Sequence, residues 1–438
     1  MLFNFSKNKL LTAFLFSVLI SMFLFGDFFN LKVNATLLNN ISDFKSGIGV
    51  GKSVIESNTD DVLTAQKLGK FVSLTGNVDQ LKSFLKKLKN SNNNKIRIAH
   101  FGDSIILGDI ITEYLRSNLQ QKFGGGGVGI LPIVSDDYRM RRTTIESFSN
   151  DWSFGSIVTG NKNQYPLGIN GTVSVPKPGS WVKYESTPIF PQTSSFNIVK
   201  IFYSNADQSS TMQYSIDGGA MKNISLESGN DVKQLEINSP IKATKVKIKF
   251  LSGKEPYIYG VSLETNGNGV IVDNFPLRGN SGVSLLDILP STLQQFDKYL
   301  SYDLVILNYG ANVYFPNPAG FVLYENKMSE VIDQFKKAFP NAGILLVSVG
   351  DKTIKRGSNF ITNPDVQLLL DSQKKIVKRT NIAFWNMWEA MGGLNSMNHW
   401  VNAAPPLALR DYSHFNNDGG ERIAELLYDA FLAAMNNY

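Results

Sequence analysis

The chain has 438 residues, of which 43% are hydrophobic, 11% aromatic and 18% charged, with a formal net charge of +6 and no cysteine. This size and apolar content suit one large core with an additional domain, while the lack of cysteine excludes disulfides, thiolate nucleophiles and zinc–thiolate sites. Lysines and arginines are spread among carboxylates and form no stripe that would follow phosphates, so we expect no nucleic-acid partner.

The N-terminal segment has the pattern of an export signal. Leu10–Gly26 is uncharged and mostly Leu, Phe, Ile and Val, and Lys7 and Lys9 precede it. The run is slightly shorter than the roughly 20 residues of a membrane span, and Val33–Ala35 offers a cleavage site. Residues 1–35 are therefore predicted to be either a signal anchor in the inner membrane or a cleaved signal peptide. Either way, the rest of the chain is expected on the periplasmic or extracellular face.

Further along, strands and helices alternate. The apolar patterns predict helices at Val78–Leu88, Asp109–Phe123, Phe321–Phe339, Asp365–Arg379 and Asp418–Met435, and strands at Ile96–Phe101, Asp303–Tyr309, Gly343–Val349 and Ile382–Trp385. Strands separated by helices of this length favour a parallel sheet covered by helices on both faces. The predicted fold class is therefore α/β.

A different pattern occupies residues 151–264. Short runs alternate apolar with polar residues between Gly, Asn, Asp and Pro, at Asn197–Tyr203, Met212–Ile216, Lys245–Leu251 and Tyr257–Leu263. This alternation is typical of an antiparallel β-sandwich. We interpret it as a domain inserted between two parts of the α/β domain, residues 36–150 and 265–438.

The segment Gly102-Asp103-Ser104 follows the predicted strand and precedes a helix. A serine there emerges at the carboxyl edge of the sheet, where open α/β sheets bind ligands, and the helix N-terminus favours developing negative charge. The alternative is an ordinary capping serine. The position favours a nucleophile, which would need a base to take its proton.

Histidine is the usual base near neutral pH, and the chain has only three. Asp411 and His414 lie three residues apart before the last helix, a spacing that lets a carboxylate hold the imidazole while its other nitrogen faces the serine. The alternative is a turn cap beside a loop residue. His100 lies in the buried strand and is interpreted as a core residue, whereas His399 suits either a pocket wall or the surface.

Two further loops suit an oxyanion hole, which needs fixed donors facing the oxygen of a tetrahedral intermediate. Gly279-Asn-Ser-Gly282 follows the insert, and Asn308-Tyr-Gly-Ala-Asn312 follows a predicted strand. Taken separately, each loop is compatible with a simple turn. No spacing of His with Asp or Glu suggests a metal site, and no cofactor is expected.

These four segments, in this order, resemble the four blocks of the SGNH (GDSL-type) hydrolase family, which has a flavodoxin-like α/β fold. The resemblance implies that Ser104 is the nucleophile, His414 the base and Asp411 its orienting partner. It also implies an oxyanion hole made of the Ser104 amide, the Gly282 amide and the Asn312 side chain. Gly279 is an alternative to Gly282.

More narrowly, His100–Ser104, Leu394–Val401 and Leu407–Phe415 resemble bacterial peptidoglycan O-acetylesterases, in which a carbohydrate-binding-like β insert also occurs. Ile105 departs from the polar residue that is usual after the serine. The resemblance implies a serine esterase that removes O-acetyl groups from a cell-envelope polysaccharide, with peptidoglycan as the expected substrate. A polysaccharide O-acetyltransferase, an inactive glycan-binding protein and a lipid esterase remain alternatives. The expected partners are an acetylated glycan and, if residues 10–26 are not cleaved, the membrane.

Overall fold

The computed structural model describes residues 68–159, 164–315 and 317–438. The predicted N-terminal signal segment lies outside these residues, so the choice between anchor and cleaved peptide stays a prediction. Within the described ranges, no helix combines the length and apolar character that crossing a bilayer requires.

The helices of the described ranges agree closely with the predicted ones, and several more are present. They are α1 (Lys82–Lys89), α2 (Thr112–Phe123), α3 (Pro290–Leu300), α4 (Pro318–Ala338), α5 (Pro364–Thr380), α6 (Met387–Met391), α7 (Ser396–Val401) and α8 (Asn417–Met435). Short 3-10 turns occur at Val78–Leu81, Ser91–Asn93, Ser104–Asp109 and Val283–Asp287.

The strands, in chain order, are β1 (Thr75–Gly76), β2 (Lys95–Gly102), β3 (Gly129–Leu131), β4 (Thr144–Phe148), β5 (Ser153–Ser156), β6 (Thr172–Val175), β7 (Trp181–Ser186), β8 (Phe196–Ser204), β9 (Thr211–Ile216), β10 (Lys222–Ser225), β11 (Lys233–Ala243), β12 (Lys245–Ser252), β13 (Tyr257–Glu264), β14 (Gly269–Pro276), β15 (Leu304–Asn308), β16 (Gly343–Val347), β17 (Thr353–Arg356), β18 (Asn359–Thr362) and β19 (Ala383–Trp385).

The central sheet has the strand order β1-β19-β16-β15-β2-β14. All neighbours are parallel except the short edge strand β1, which is antiparallel to β19. Gly102 at the end of β2 lies opposite Asn308 of β15 and Pro276 of β14. The loops that follow these three strands therefore emerge side by side, as expected for the carboxyl edge of a parallel sheet.

Alternate residues of the central strands point to opposite faces and enter two different cores. On one face, Phe101 and Leu307 pack with α3, α4 and α5. On the other face, Ile98 and Ile306 pack with α1, α2 and α8. The α/β prediction is confirmed: helices cover both faces of a parallel sheet, which explains why its strands read as continuous apolar runs.

The insert consists of two antiparallel sheets packed face to face. One has the order β10-β9-β12-β7-β4, and the other β11-β8-β13-β6-β5 with β3 attached to β13. Side chains such as Val182 and Ile248 from the first sheet meet Ile201 and Val261 from the second in a separate core. The alternating pattern of the sequence therefore did indicate a β-sandwich.

The strands of the sandwich begin earlier than residue 151. Segment Thr144–Phe148 pairs with β7, and Gly129–Leu131 pairs with β13. The sequence did not predict these two strands because they are short and because the polar residues around them resemble a loop. At the other end, β13 ends at Glu264, and the next strand, β14, belongs to the central sheet.

The second sheet of the sandwich also packs on the α/β domain. Its outer face presents Phe202 and Tyr259 to Phe296 of α3, with ring centroids 5.8 and 5.5 Å apart. Both aromatic residues belong to the same core cluster as the helices on that side of the central sheet. The insert and the α/β domain therefore share an apolar core.

A buried ion cluster lies where β2, β13 and β14 meet. The Arg97 guanidinium donates to Glu264 at 2.6 Å and to Asp273 at 2.6 and 2.9 Å, and all three side chains are almost inaccessible to solvent. Lys95 and Lys200 reach the other oxygen of Glu264 at 2.9 and 3.0 Å. Burial raises the pKa of Glu264, but the three cations lower it by more, so the pKa lies well below its usual range.

Candidate active site

Ser104 begins the 3-10 turn that follows β2, and the preceding residue holds that turn in place. Asp103 is fully buried, and its Oδ1 accepts the backbone N–H of Ile105 at 3.0 Å. Its Oδ2 accepts the N–H groups of Gly310 and Ala311, both at 3.0 Å. Burial raises the pKa of Asp103, and these three donors oppose the rise. The carboxylate thus ties the Ser104 turn to the loop that carries Asn312.

The predicted base lies against the predicted nucleophile. Ser104 Oγ is 2.8 Å from Nε2 of His414, although 310 residues separate them in the chain. On the other side of the ring, His414 Nδ1 is 2.7 Å from Asp411 Oδ2. A neutral imidazole satisfies both contacts when Nδ1–H donates to Asp411 and Nε2 accepts the serine hydroxyl proton. This is the arrangement that general-base activation of a serine needs.

Asp411 is also fixed by its own turn. Its Oδ1 accepts the backbone N–H groups of Ser413 and His414, each at 3.0 Å. Burial raises the pKa of Asp411, but the hydrogen bonds from His414 and Ser413 outweigh it and leave the pKa lowered. The carboxylate therefore stays ionised near neutral pH, as an orienting partner must.

The turn that carries His414 is anchored on both sides. Leu409 N–H donates to the His414 carbonyl at 2.8 Å, and the next residue, Phe415, is buried in the core. Tyr412, with φ +56°, stacks on Phe360 of the β17–β18 hairpin at a centroid distance of 4.4 Å. The hairpin thus supports the turn from outside the central sheet, a contact that no sequence signal predicted.

Two of the predicted oxyanion donors, Asn312 and Gly282, already donate hydrogen bonds to Asn280. Asn312 follows β15 on the exposed side of its loop, and its Nδ2 donates to the Asn280 carbonyl at 3.3 Å. The Gly282 amide donates to Asn280 Oδ1 at 2.7 Å, so that amide is already committed. A Cβ on Gly282 would lie 2.9 Å from the Tyr309 ring. Close packing against that ring therefore accounts for a glycine at 282 without any catalytic role.

Gly279, the alternative donor, differs from Gly282. It has φ +75°, nothing lies within 4 Å of a Cβ built on it, and it lines the same cavity as Asn312. Asn280, which the sequence analysis did not single out, connects the two loops: its carbonyl binds Asn312 and its side chain binds Gly282 and Ser284. Its place within the motif Gly279-Asn-Ser-Gly282 was the available signal. Which glycine faces an oxyanion stays a prediction.

The two other histidines lie outside this arrangement. His100 is buried in β2, where its Nδ1 bonds Thr112 Oγ1 at 2.9 Å. Burial lowers its pKa to about 4, so the ring is neutral. His399 is exposed on α7. Within the described ranges, no group of three or more His, Cys, Asp or Glu side chains is placed to hold a metal ion.

The parallel α/β sheet presents a Ser–His–Asp hydrogen-bond chain at its carboxyl edge, and a β-sandwich is inserted between the two parts of the α/β domain. This is the architecture expected from the SGNH resemblance. A solved peptidoglycan O-acetylesterase has this fold: the two chains superpose with a TM-score of 0.68 and 21% identity, over 83% of this chain and 99% of that chain. The expected resemblance is thereby confirmed at the level of the fold.

Weaker structural matches are also found. A family two carbohydrate esterase from Cellvibrio japonicus matches at 10% identity and a TM-score of 0.27, over 67% of this chain and 98% of its own. An acetyl xylan esterase matches at 20% identity and a TM-score of 0.29, over 37% of this chain and 81% of its own. No family model and no curated protein sequence matches the chain.

Proposed function

We propose that this protein is a serine esterase that removes O-acetyl groups from a cell-envelope polysaccharide, with peptidoglycan as its substrate. The observation that carries the proposal is the continuous hydrogen-bond chain from Ser104 through His414 to Asp411, with contacts of 2.8 and 2.7 Å. The peptidoglycan O-acetylesterase with the same fold supports the choice of substrate.

In the proposed mechanism, Ser104 Oγ attacks the acetyl carbonyl while His414 Nε2 takes its proton. Asp411 stabilises the imidazolium that forms. The negative oxygen of the tetrahedral intermediate is bound by the Ser104 amide, the Asn312 side chain and one glycine amide of the 279–282 loop. The sugar oxygen leaves with the proton from His414, acetyl-serine remains, and water activated by the same histidine releases acetate.

The proposal extends to location: the chain acts on the periplasmic or extracellular face, brought there by its N-terminal segment. An acetylated polymer in the cell envelope is accessible from that side. The β-sandwich, which shares a core with the α/β domain through Phe296, is proposed to contact the glycan strand beside the site.

Acetate release from O-acetylated peptidoglycan tests the function directly. We expect wild-type protein to release acetate and the Ser104→Ala and His414→Ala variants to lose more than about a thousandfold in kcat/KM. His399→Ala is the matched control, because it removes an exposed imidazole that contacts none of the three residues. Activity that survives Ser104→Ala would refute the proposal. Acetyl transfer to an added acceptor glycan, in place of acetate release, would identify a transferase.

A further inference from the structure

The 3-10 turn that begins at Ser104 ends in a strained backbone. Gly108 and Asp109 both have positive φ, +65° and +69°, and residues other than glycine adopt this conformation only rarely. Such a backbone persists where its surroundings hold it. On the α/β side, Arg116 of α2 donates to Asp109 Oδ2 at 2.9 Å. The contacts at this end of the turn therefore influence the position of Ser104, which lies a few residues earlier.

The other contact with this end of the turn comes from the β-sandwich, from the loop between β3 and β4. The Gly108 N–H donates to Asp137 Oδ2 at 2.9 Å, and the Asp137 side chain is buried. Met140 of the same loop packs directly on the turn: a Cβ built on Gly108 would lie 2.6 Å from the Met140 Cβ. The inserted domain thus contacts the backbone of the turn that carries the predicted nucleophile.

Arg141 extends this contact into the first sheet of the sandwich. Its Nη2 donates to Asp137 Oδ1 at 2.7 Å, and its Nη1 donates to Glu146 Oε2 at 3.0 Å. All three side chains are buried. Glu146 belongs to β4 and lies opposite Tyr184 of β7. A continuous hydrogen-bond chain therefore runs from the sandwich sheet through Glu146, Arg141 and Asp137 to the Gly108 amide.

The last member of this hydrogen-bond chain acts as an acceptor and not as a charge. Burial raises the pKa of Glu146 to about 8, although Arg141 opposes the rise. Near neutral pH the Glu146 carboxyl is therefore mostly protonated, and its proton lies on Oε1, since Oε2 accepts the Arg141 hydrogen bond. Within the described ranges, Oε1 is buried and has no hydrogen-bond partner. A glutamine at position 146 would keep the acceptor that Arg141 uses.

The turn has incomplete packing on the side that faces the sandwich. A cavity of about 230 Å³ is lined by Leu107 of the turn, by Asp137 and Arg141, and by Phe154 of β5 and Thr172 of β6. Side-chain atoms beside empty space lose the van der Waals contacts that would otherwise hold them. The hydrogen bond from Gly108 to Asp137 therefore contributes a large share of the support on this side.

We propose that the β-sandwich positions the nucleophile turn, Ser104–Asp109, through the Gly108 amide. Asp137, Arg141 and Glu146 are the positioning residues. The proposal rests on the proposed esterase function, because it takes the turn to carry the nucleophile. It gives the sandwich a second role besides the proposed contact with glycan, and this second role operates even with a substrate too small to reach the sandwich.

The test uses 4-nitrophenyl acetate, and the first burst of 4-nitrophenol in stopped flow gives the rate constant of acylation and the dissociation constant of the ester. We expect Arg141→Met and Glu146→Leu to lower the acylation rate constant about ten- to a hundredfold. The dissociation constant should stay unchanged, since the acetyl group makes no contact with the sandwich. Glu146→Gln should acylate at the wild-type rate, because the acceptor for Arg141 remains.

Urea unfolding of each variant separates this effect from a general loss of stability. The matched control is Lys200→Met, which removes a buried cation of the sandwich that contacts Glu264 and none of the three positioning residues. It should lower the unfolding midpoint and keep the acylation rate constant. If Arg141→Met or Glu146→Leu does not fold, Asp137→Asn decides: its single amide oxygen cannot accept from both Gly108 and Arg141, so acylation should slow as in those variants.

Three results would overturn the inference: wild-type acylation in the folded Arg141→Met, Glu146→Leu or Asp137→Asn variants, equal slowing by Glu146→Gln and Glu146→Leu, or equal slowing by Lys200→Met. If no Ser104-dependent hydrolysis occurs, the esterase proposal fails, and amide hydrogen exchange tests the hydrogen-bond chain separately. Faster exchange of the 104–109 amides in Glu146→Leu than in Glu146→Gln supports the positioning role. Equal exchange in the two variants refutes it.

Discussion

Replacing Asp103 by asparagine tests whether its carboxylate stabilises the 3-10 turn Ser104–Asp109. The substitution keeps the shape of the side chain but replaces one acceptor oxygen by an amide NH₂ group. Three backbone donors meet the present carboxylate: Ile105 at Oδ1, and Gly310 and Ala311 at Oδ2. No orientation of the new amide can satisfy all three.

The cost follows from this count of donors. If the amide oxygen takes the Oδ2 position, the Ile105 N–H is left facing an NH₂ group; in the other orientation two donors are left. Each unpaired buried donor costs about 1–3 kcal/mol, so we expect Asp103→Asn to lower the free energy of unfolding by about 2 kcal/mol. A displacement of Ser104 or of the Asn312 loop by about 1 Å would lower kcat about a hundredfold.

Urea unfolding and esterase kinetics, measured on the same preparations, separate the two effects. Asp333→Asn, which alters an exposed carboxylate of α4, is the matched control and should change neither quantity. An Asp103→Asn variant that keeps both its unfolding midpoint and its kcat would show that the carboxylate does not support the turn. Loss of stability with unchanged kcat would show that the turn keeps its geometry without it.

Three further predictions follow from the same contacts. Asp411→Asn keeps an oxygen for the Ser413 and His414 amides but removes the acceptor for His414 Nδ1–H. We expect kcat to fall by about 10²–10⁴-fold with little change in KM. An unchanged kcat would contradict the orienting role of Asp411. Gly282→Ala should lower the free energy of unfolding by about 2–4 kcal/mol, since its φ is +90° and the new Cβ meets the Tyr309 ring. Gly279→Ala adds a Cβ in open space and should lower the free energy of unfolding by only about 1–2 kcal/mol. Equal losses for the two variants would refute the role given to the Tyr309 contact. Glu264 has a lowered pKa, so its contribution to stability is present above the usual pKa of a glutamate and is lost as pH falls through the folded-state pKa. Glu264→Gln should therefore lower the free energy of unfolding by about 3–5 kcal/mol at pH 7 and by progressively less in acid. A difference in unfolding free energy that does not change with pH would refute this prediction.

The long elements of the α/β domain could be predicted because their patterns are local. Strand Lys95–Gly102 is a continuous buried run, and the last helix, Asn417–Met435, has a clear apolar stripe. Helix α3 was missed although Pro290 stands at its first position, the usual place for a helix-starting proline. The β17–β18 hairpin was missed because its strands have only four residues each and mix buried, half-buried and exposed side chains without regular alternation.

In the candidate site, too, residues within short motifs could be predicted from the sequence, whereas contacts between distant segments could not. Ser104, His414 and Asp411 were predicted from short recognisable segments, and the structure brings their side chains together; their catalytic roles stay predictions. The role of Asp103 could not be predicted, since its partners Gly310 and Ala311 come from more than 200 residues away. The bond between the Gly282 amide and Asn280 depends on the exact turn geometry, which residue types alone do not specify.

If the protein is the proposed polysaccharide esterase, the shared core around Phe296 and the ion cluster around Arg97 determine how it acts on an insoluble polymer. A glycan-binding domain on a flexible tether lets a catalytic domain sample many esters from one attachment point. Here the sandwich is fixed to the sheet, and cutting it away would remove Glu264 from the Arg97 guanidinium and leave Asp273 as its remaining carboxylate partner. Under the proposed function, the two domains would leave and rebind the polymer together between one ester and the next.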